Sequence, residues 1–403
     1  MLLQFEVNNF CSIKDTATFN MRSTQKENHS FLVRNYHLLQ SAVVYGANAS
    51  GKSNLLKAMQ TMASIVLNHD RVALSTDRLN HQPFLLNSET ETTSTSFEIV
   101  FILNDIIYRY GFEYDIDTIY AEWLFSDEKG KEAKLFYRDI EDEFYVNPTR
   151  FKEGKGLESR TLRNHLFLWK CDNENGIIAQ QIMAWFSRFN MIDGLNNRTY
   201  LEYTNNQLKD KSFKADILKL LKVADLGITD IERQKSMQNQ DIETMTIHQK
   251  FDKENNLIGA VEFDLSKHES LGTQKFFAIS APILDTLKDG KILIIDELDA
   301  SLHPMLTKHL IKMFHDKHIN NKNAQLIFTT HDTNLLQHDL LNRDQVWFTD
   351  KDKYGSTQVY SLIEYKENRT RKDSNKEKYY LQGRYGAVPY IGTFHFEDIV
   401  NES

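Results

Sequence analysis

Val43-Val44-Tyr45-Gly46-Ala47-Asn48-Ala49-Ser50-Gly51-Lys52-Ser53 is an apolar strand running into a glycine-bearing loop and then a helix. It reads GxxxxGKS, a phosphate-binding P-loop, and strand, loop and helix fall in the order that motif requires. Gly46 and Gly51 let the backbone turn tightly, so that the N–H groups across Asn48, Ala49 and Ser50 can face β- and γ-phosphates. The helix beginning near Lys52, with Asn54 in its first turn, aims its positive dipole at the same anions. Lys52 is placed to bridge β and γ oxygens and Ser53 to hold Mg²⁺, so the expected ligands are ATP and Mg²⁺.

A P-loop does not say what is done with the nucleotide. Far downstream, Lys291-Ile292-Leu293-Ile294-Ile295-Asp296-Glu297 is an apolar strand ending in two carboxylates, a Walker B pattern. Four consecutive Ile or Leu residues indicate a strand covered on both faces, not a solvated acidic loop. Asp296 can orient Mg²⁺ through its water shell, and Glu297, pointing the other way, can polarise an attacking water.

Between these motifs the periodicity changes several times. Leu3, Phe5 and Val7 alternate with polar residues and residues 16–21 alternate again, predicting two short strands around a turn at 8–15. The P-loop helix carries Leu55, Leu56, Met59, Met62 and Ile65 on one face, as core. Residues 97–103 and 106–112 alternate about Asn104-Asp105, a hairpin with a tight turn, and further strands are expected at 120–125 and 135–137. The aromatics of these hairpins read as core, not as a base-stacking platform. From 154 to 226 the pattern is helical, and residues 228–263 return to strands around a polar turn at 252–256.

Glu269-Ser270-Leu271-Gly272-Thr273-Gln274-Lys275 then opens a helix in which Ser270 can serve as cap and Gly272 leaves room for a close anion. Pro282 lies inside this helix and is expected to kink or shorten it. After Glu297 come Leu298-Asp299-Ala300-Ser301-Leu302-His303-Pro304, a helix, and the apolar strand 326–329 that delivers Thr330-His331-Asp332. One helix and one strand beyond Walker B, His331 stands where a γ-phosphate sensor belongs. The other histidines show no metal-ligand spacing. A last strand pair is read at 345–349 and 357–362, followed by a charged stretch at 366–378 and the glycine and aromatic segment 381–390.

The whole chain sets wider bounds. At 403 residues it suggests two or three domain-sized units, and 41% hydrophobic with 26% charged residues is ordinary for a globular protein. A formal charge of −8 argues against a uniformly basic nucleic-acid coat. Two cysteines, Cys11 and Cys171, without CxxC spacing give neither a zinc site nor a disulfide framework, as suits a reducing cytoplasm. No signal peptide and no membrane-spanning run is read, so a cytoplasmic location is expected. No heptad pattern is sustained, which counts against long coiled-coil arms.

With the P-loop, SxGxQ, the DE strand, DxSLHP and TTHD in this order, the chain resembles the ABC-type ATPases of the SMC, RecF and OLD-like group. Within that group it is most similar to ATP-binding proteins of bacterial phage defence such as RloA, the AbiL ATPase and the ATPase of the PARIS system. Asn9-Phe10-Cys11-Ser12, Pro83-Phe84 and Gln382-Gly383-Arg384-Tyr385-Gly386 extend the likeness over nearly the full length. It implies an α/β ABC-type P-loop head, with a mixed central sheet and flanking helices, plus an antiparallel β lobe and a helical insertion. The expected division is 1–140 (Walker A and hairpins), 141–264 (mainly helical insertion returning to strands) and 265–403 (signature, Walker B, D-loop, H-loop and tail).

The resemblance also implies a homodimer, or a higher oligomer, sandwiching ATP, with Ser270 and Gly272 contacting the γ-phosphate of the other copy. Asp299 becomes the D-loop residue, His331 the switch histidine, and Gln82 the Q-loop glutamine. Cys11 departs from the arginine usual in the NFRS pattern, and Ser270-Leu271-Gly272-Thr273-Gln274 departs from LSGGQ. Roughly 70 residues follow His331, too few for a Toprim nuclease. The expected function is therefore an ATPase that senses a phage protein or DNA and controls a separate effector protein, a nuclease. The alternative is a RecF-like ATP-gated DNA-binding protein.

Overall fold

The computed structural model describes residues 1–24, 29–194, 198–224, 227–235, 242–337, 340–365 and 376–389. Strands β1 (Leu2–Asn8), β2 (Ala17–Asn20), β3 (Ser30–Val33), β4 (Tyr36–Leu39) and β5 (Ser41–Gly46) lead into helix α1 (Lys52–Val66). A meander follows: β6 (Thr95–Leu103), β7 (Ile106–Tyr114), β8 (Ile119–Asp127), β9 (Glu132–Asp139) and β10 (Phe144–Val146). Next come α2 (Phe167–Asn173), α3 (Ile177–Phe186), β11 (Phe189–Asp193), α4 (Arg198–Gln207) and α5 (Lys211–Val223). Then β12 (Ile228–Lys235), β13 (Ile242–Phe251), β14 (Leu257–Asp264), α6 (Leu265–His268), α7 (Leu271–Asp289), β15 (Ile292–Asp296) and α8 (Pro304–His315). The last elements are β16 (Gln325–Thr329), β17 (Val346–Lys351), β18 (Thr357–Ser361) and α9 (Lys376–Leu381).

Two sheets carry the α/β architecture. The central sheet has the order β11-β15-β16-β5-β17-β18, parallel except for the antiparallel edge strand β18. Its inner strands β15, β16 and β5 are mostly apolar and buried because both faces are covered. Alternate residues divide between two cores: Ala42, Val44, Ile292, Ile294 and Ile327 face α1 and the antiparallel lobe, while Val43, Tyr45, Leu293, Ile295 and Phe328 face α7 and α8. The antiparallel sheet, β10-β9-β8-β7-β6-β1-β2, supplies the far wall of the first core. At its β6–β7 turn Asn104 and Asp105 have φ of 50° and 60°, the left-handed pair that a two-residue hairpin demands. A three-stranded sheet, β12-β13-β14, and the β3–β4 hairpin complete the strands.

Two local readings change. Phe189–Asp193, expected to be helical, is β11, paired in parallel with β15 from Phe189↔Ile292 to Asp193↔Asp296. Its five residues are too few for a period to register, and pairing with a buried neighbour decides their conformation. Pro282 does not shorten α7, which runs for 19 residues through it. Proline leaves the Ala278 carbonyl without its helical N–H, and the Thr204 hydroxyl of α4 donates to that carbonyl instead, at 2.7 Å. Most of the charged stretch at 366–378 and the end of the 381–390 segment lie outside the described residues. Among the described residues no helix is long and apolar enough to cross a membrane.

Candidate nucleotide site

Parallel strands all end at one edge of a sheet, and ligands of α/β folds collect in the crevice beyond those ends. Here β5 ends at the P-loop, β15 at Asp296-Glu297, β16 just before His331 and β17 at Lys351. A cavity of about 420 Å³ lies there, lined by Asn48, Ala49, Ser50, Gly51, Lys52, Ser53, Asn54, Glu297, His331 and Lys351. Residues far apart in the chain are thus gathered by strand order alone.

The loop itself is tightly braced. A Cβ on Gly46 would lie 2.5 Å from the Thr349 carbonyl oxygen, and Gly51 has φ 106° with Thr357 against it, so neither position accepts a side chain. Ser50 Oγ pairs with Thr349 Oγ1 at 2.7 Å, and the Thr357 hydroxyl donates to the Ser50 carbonyl at 2.8 Å. Ser12 joins both sides, its Oγ meeting Thr357 Oγ1 and accepting from Asn54 Nδ2, each at 2.7 Å. Helix α1 has neither a side-chain cap nor an acidic residue in its first turn. Its amides therefore suit an anion.

Lys52 is buried, with Nζ donating to the carbonyls of Gly46 at 2.9 Å and Ala47 at 3.1 Å. Burial lowers its pKa, while Asp296, Glu297 and Asp299 pull it back up. An incoming polyphosphate would relieve the same cost.

The carboxylates are held through one hydroxyl. Thr329 Oγ1 donates to Asp296 Oδ1 at 2.5 Å and accepts from the Glu297 N–H at 2.7 Å. Glu297 has φ 50°, a left-handed conformation that costs a non-glycine residue about 1–2 kcal/mol. This turn out of β15 brings Glu297 into the cavity lining, whereas Asp296 lines an adjoining hollow of about 220 Å³ together with Ser53 and Asp193. A hydroxyl and a carboxylate sharing one hollow are a donor set that fits Mg²⁺.

Of the other candidates, Asp299 accepts the backbone N–H of His331 at 3.2 Å, tying the two loops together within one chain. Tyr45 secures the next residue, its hydroxyl donating to the Asp332 carbonyl at 2.9 Å. Ser270 caps α7, with Oγ accepting from Thr273 N at 3.1 Å, and neither it nor Gly272 lines the cavity of its own chain. Gln82 does not line it either. Its side chain accepts from Lys57 Nζ at 2.5 Å and donates to Asn80 at 2.7 Å, and its carbonyl accepts the Cys11 N–H at 2.7 Å. Cys11 is thus spent on Gln82, away from the cavity lining.

Sequence reasoning overlooked Lys351 and took Thr329 only as part of a strand. Lys351 reaches the cavity because β17 lies beside β5, with Thr349 level with Gly46. Among the described residues no cluster of His, Cys, Asp and Glu could by itself hold a metal ion.

A family model described as "AAA domain, putative AbiEii toxin, Type IV TA system" matches residues 41–337. Among solved structures the chain is similar to the SMC head domain from Thermotoga maritima, with 13% identity and a TM-score of 0.43 over 89% of this chain and 98% of that one. It is also similar to the SmcHead bound to the C-winged helix domain of ScpA, with 13% identity and a TM-score of 0.47 over 89% of this chain and 97% of that one. No curated protein matches it by sequence.

Proposed function

The chain belongs to this AAA domain family, whose match extends from residue 41 to residue 337, and from that premise we propose that it binds and hydrolyses ATP in a site completed by a second copy. The observation that carries the reading is the shared cavity of P-loop, Glu297 and His331. Lys52 and the α1 amides bind the β- and γ-phosphates, and Ser53 with Asp296 would hold Mg²⁺. The ion supplies charge neutralisation on the phosphates being separated. Glu297 takes the proton of the attacking water, its backbone set by Thr329. His331, with its own backbone held by Asp299, donates to the γ-phosphate. Ser270 and Gly272, exposed or half-exposed at the start of α7, serve the nucleotide of the partner copy.

The biological role that fits is that of a sensor and switch governing a separate toxic effector in defence against phage. Support comes from the family description, which refers to a toxin and a toxin–antitoxin system. The test is the solution mass of Glu297→Gln with and without ATP and Mg²⁺, expressed alone and with the product of the neighbouring gene. ATP should convert monomer to dimer, turnover should fall about 10²–10⁴-fold, and the neighbour should co-purify. A monomer at every nucleotide concentration overturns the shared site; a dimer that never retains the neighbour overturns the effector role.

A further inference from the structure

Helix α7 buries one charged side chain, Lys275, near its exposed start, with 1% of its surface accessible. An ammonium inside a protein needs hydrogen-bond partners, and those of Lys275 are two backbone carbonyls of the loop after β15. Nζ donates to Glu297 O at 3.1 Å and to Ala300 O at 2.5 Å. Burial brings its pKa down to about 8, against the pull of Asp299, Glu297 and Asp193.

The loop that Lys275 grips is tightly coiled. Glu297 and Ser301 have φ of 50° and 60°, Ala300 N–H returns to the Glu297 carbonyl at 3.1 Å, and Leu302 N–H to the Asp299 carbonyl at 3.0 Å. The contact with α7 is close at a second point, for a Cβ on Gly272 would lie 2.8 Å from the Ser301 carbonyl oxygen. The two peptide groups flanking Glu297 are therefore both held: its N–H by Thr329 Oγ1, and its carbonyl by Lys275 Nζ together with the Ala300 N–H, while the Leu298 N–H of that same peptide donates to the Thr329 carbonyl at 3.0 Å. With both planes fixed, φ and ψ of Glu297 are fixed, and so is the direction in which its carboxylate leaves the backbone. A methionine could fill the same volume and grip neither carbonyl.

We propose that Lys275 is a positioning residue for Glu297, holding its left-handed backbone so that the carboxylate meets the attacking water, and that it thereby couples the start of α7 to the hydrolytic loop of the same chain. This rests on the reading of Glu297 as the base. A movement of Ser270 and Gly272 on engaging a partner's nucleotide is then passed to Glu297 through the Lys275 side chain, beside the close contact of Gly272 with the Ser301 carbonyl.

The test is a double-mutant cycle on the full chain, with Lys275→Met, Glu297→Gln and the pair, measuring kcat, KM and equilibrium ATP affinity. Lys275→Met should lower kcat about 10–10²-fold, as a misplaced catalytic group does, with ATP affinity within about twofold of wild type. Added to Glu297→Gln it should cost little more, because both changes remove the same event. Lys275→Arg, which keeps the donors, should recover most of kcat. Unchanged kcat in Lys275→Met, fully additive losses, or a loss confined to affinity overturns the inference while leaving the base assignment intact. Wild-type turnover in Glu297→Gln overturns both. Should Lys275→Met fail to fold, Lys275→Gln carries the same cycle.

Discussion

The cavity at the strand ends and the start of α7 both present groups suited to phosphate, yet they are built differently. Around the cavity, beyond Lys52 on its own loop, functional groups are held by elements remote in sequence: Ser50 by Thr349, Asp296 and Glu297 by Thr329, and His331 by Asp299. At the start of α7 the Ser270 hydroxyl, among the described residues, hydrogen-bonds its near neighbour Thr273 alone, through that residue's N–H and hydroxyl. The following Leu271 is 73% exposed. The first region is organised before any ligand arrives, and the second is a surface whose chemistry is directed outward. An enzyme whose own chain completed the site would not need that asymmetry; one that closes only as a pair would.

Breaking the organised half should have the largest effect. On the proposed reading, Lys52→Ala removes a buried ammonium from the phosphate site and leaves the Gly46 and Ala47 carbonyls without their donor. Hydrogen bonds to charged groups are worth about 1.5–3 kcal/mol each, more where both ends carry charge, so ATP affinity should fall about 10²-fold or further. Calorimetric titration measures it, and affinity within threefold of wild type would remove Lys52 from the phosphate site.

Breaking the outward half should leave binding intact and abolish turnover. Ser270→Arg places a bulky cation on an exposed cap, where it costs α7 about 1 kcal/mol, so the fold should survive. ATP affinity of the single chain should be unchanged, while kcat falls about 10²-fold or more, as with loss of one donor aimed at developing charge. Mixing Ser270→Arg with Lys52→Ala sharpens the contrast. In a two-fold dimer each mixed pair contains one site with both halves native, so an equal mixture should recover up to about a quarter of wild-type activity. No recovery, under conditions where the mixed dimer forms, would mean that the two regions do not meet across an interface.

How much of this was legible in the sequence follows the same division. The P-loop and the DE strand could be read because their chemistry is contiguous: the residues that turn the chain also carry the function. The hairpin at Asn104-Asp105 and the Ser270 cap were readable for the same local reason. What escaped were groups brought in by strand pairing. Thr329 acts on Asp296 and Glu297 because β16 lies beside β15, and Lys351 enters the cavity because β17 lies beside β5. A parallel neighbour leaves no mark at fixed spacing in the chain. Phe189–Asp193 was read as helix because its pairing with β15, not its own pattern, makes it a strand. Gln82, a glutamine before the hairpins, bonds Lys57, Asn80 and Cys11 and does not line the cavity.

Lys351 gives the smallest effect and the finest test of how complete the organised half is. It is exposed, at the open rim of the cavity, so water and salt screen it and its side chain must be ordered to make any contact. Exposed charge pairs are worth about 0.2–1 kcal/mol, which corresponds to a loss of roughly 1.4-fold to fivefold in ATP affinity for Lys351→Ala. The magnitude alone would not distinguish a phosphate contact from a change in long-range field. Salt dependence does: with a Debye length of about 10 Å at 0.1 M and about 3 Å at 1 M, a rim contact loses most of its contribution at high salt. The ratio of wild-type to variant affinity should therefore shrink toward one as salt rises. Lys52→Ala, by contrast, should keep its full deficit, because Lys52 is buried among carbonyls that salt cannot reach. Equal salt sensitivity in the two variants would mean that the cavity admits solvent down to the P-loop, and that its phosphate groups are not organised ahead of the nucleotide after all.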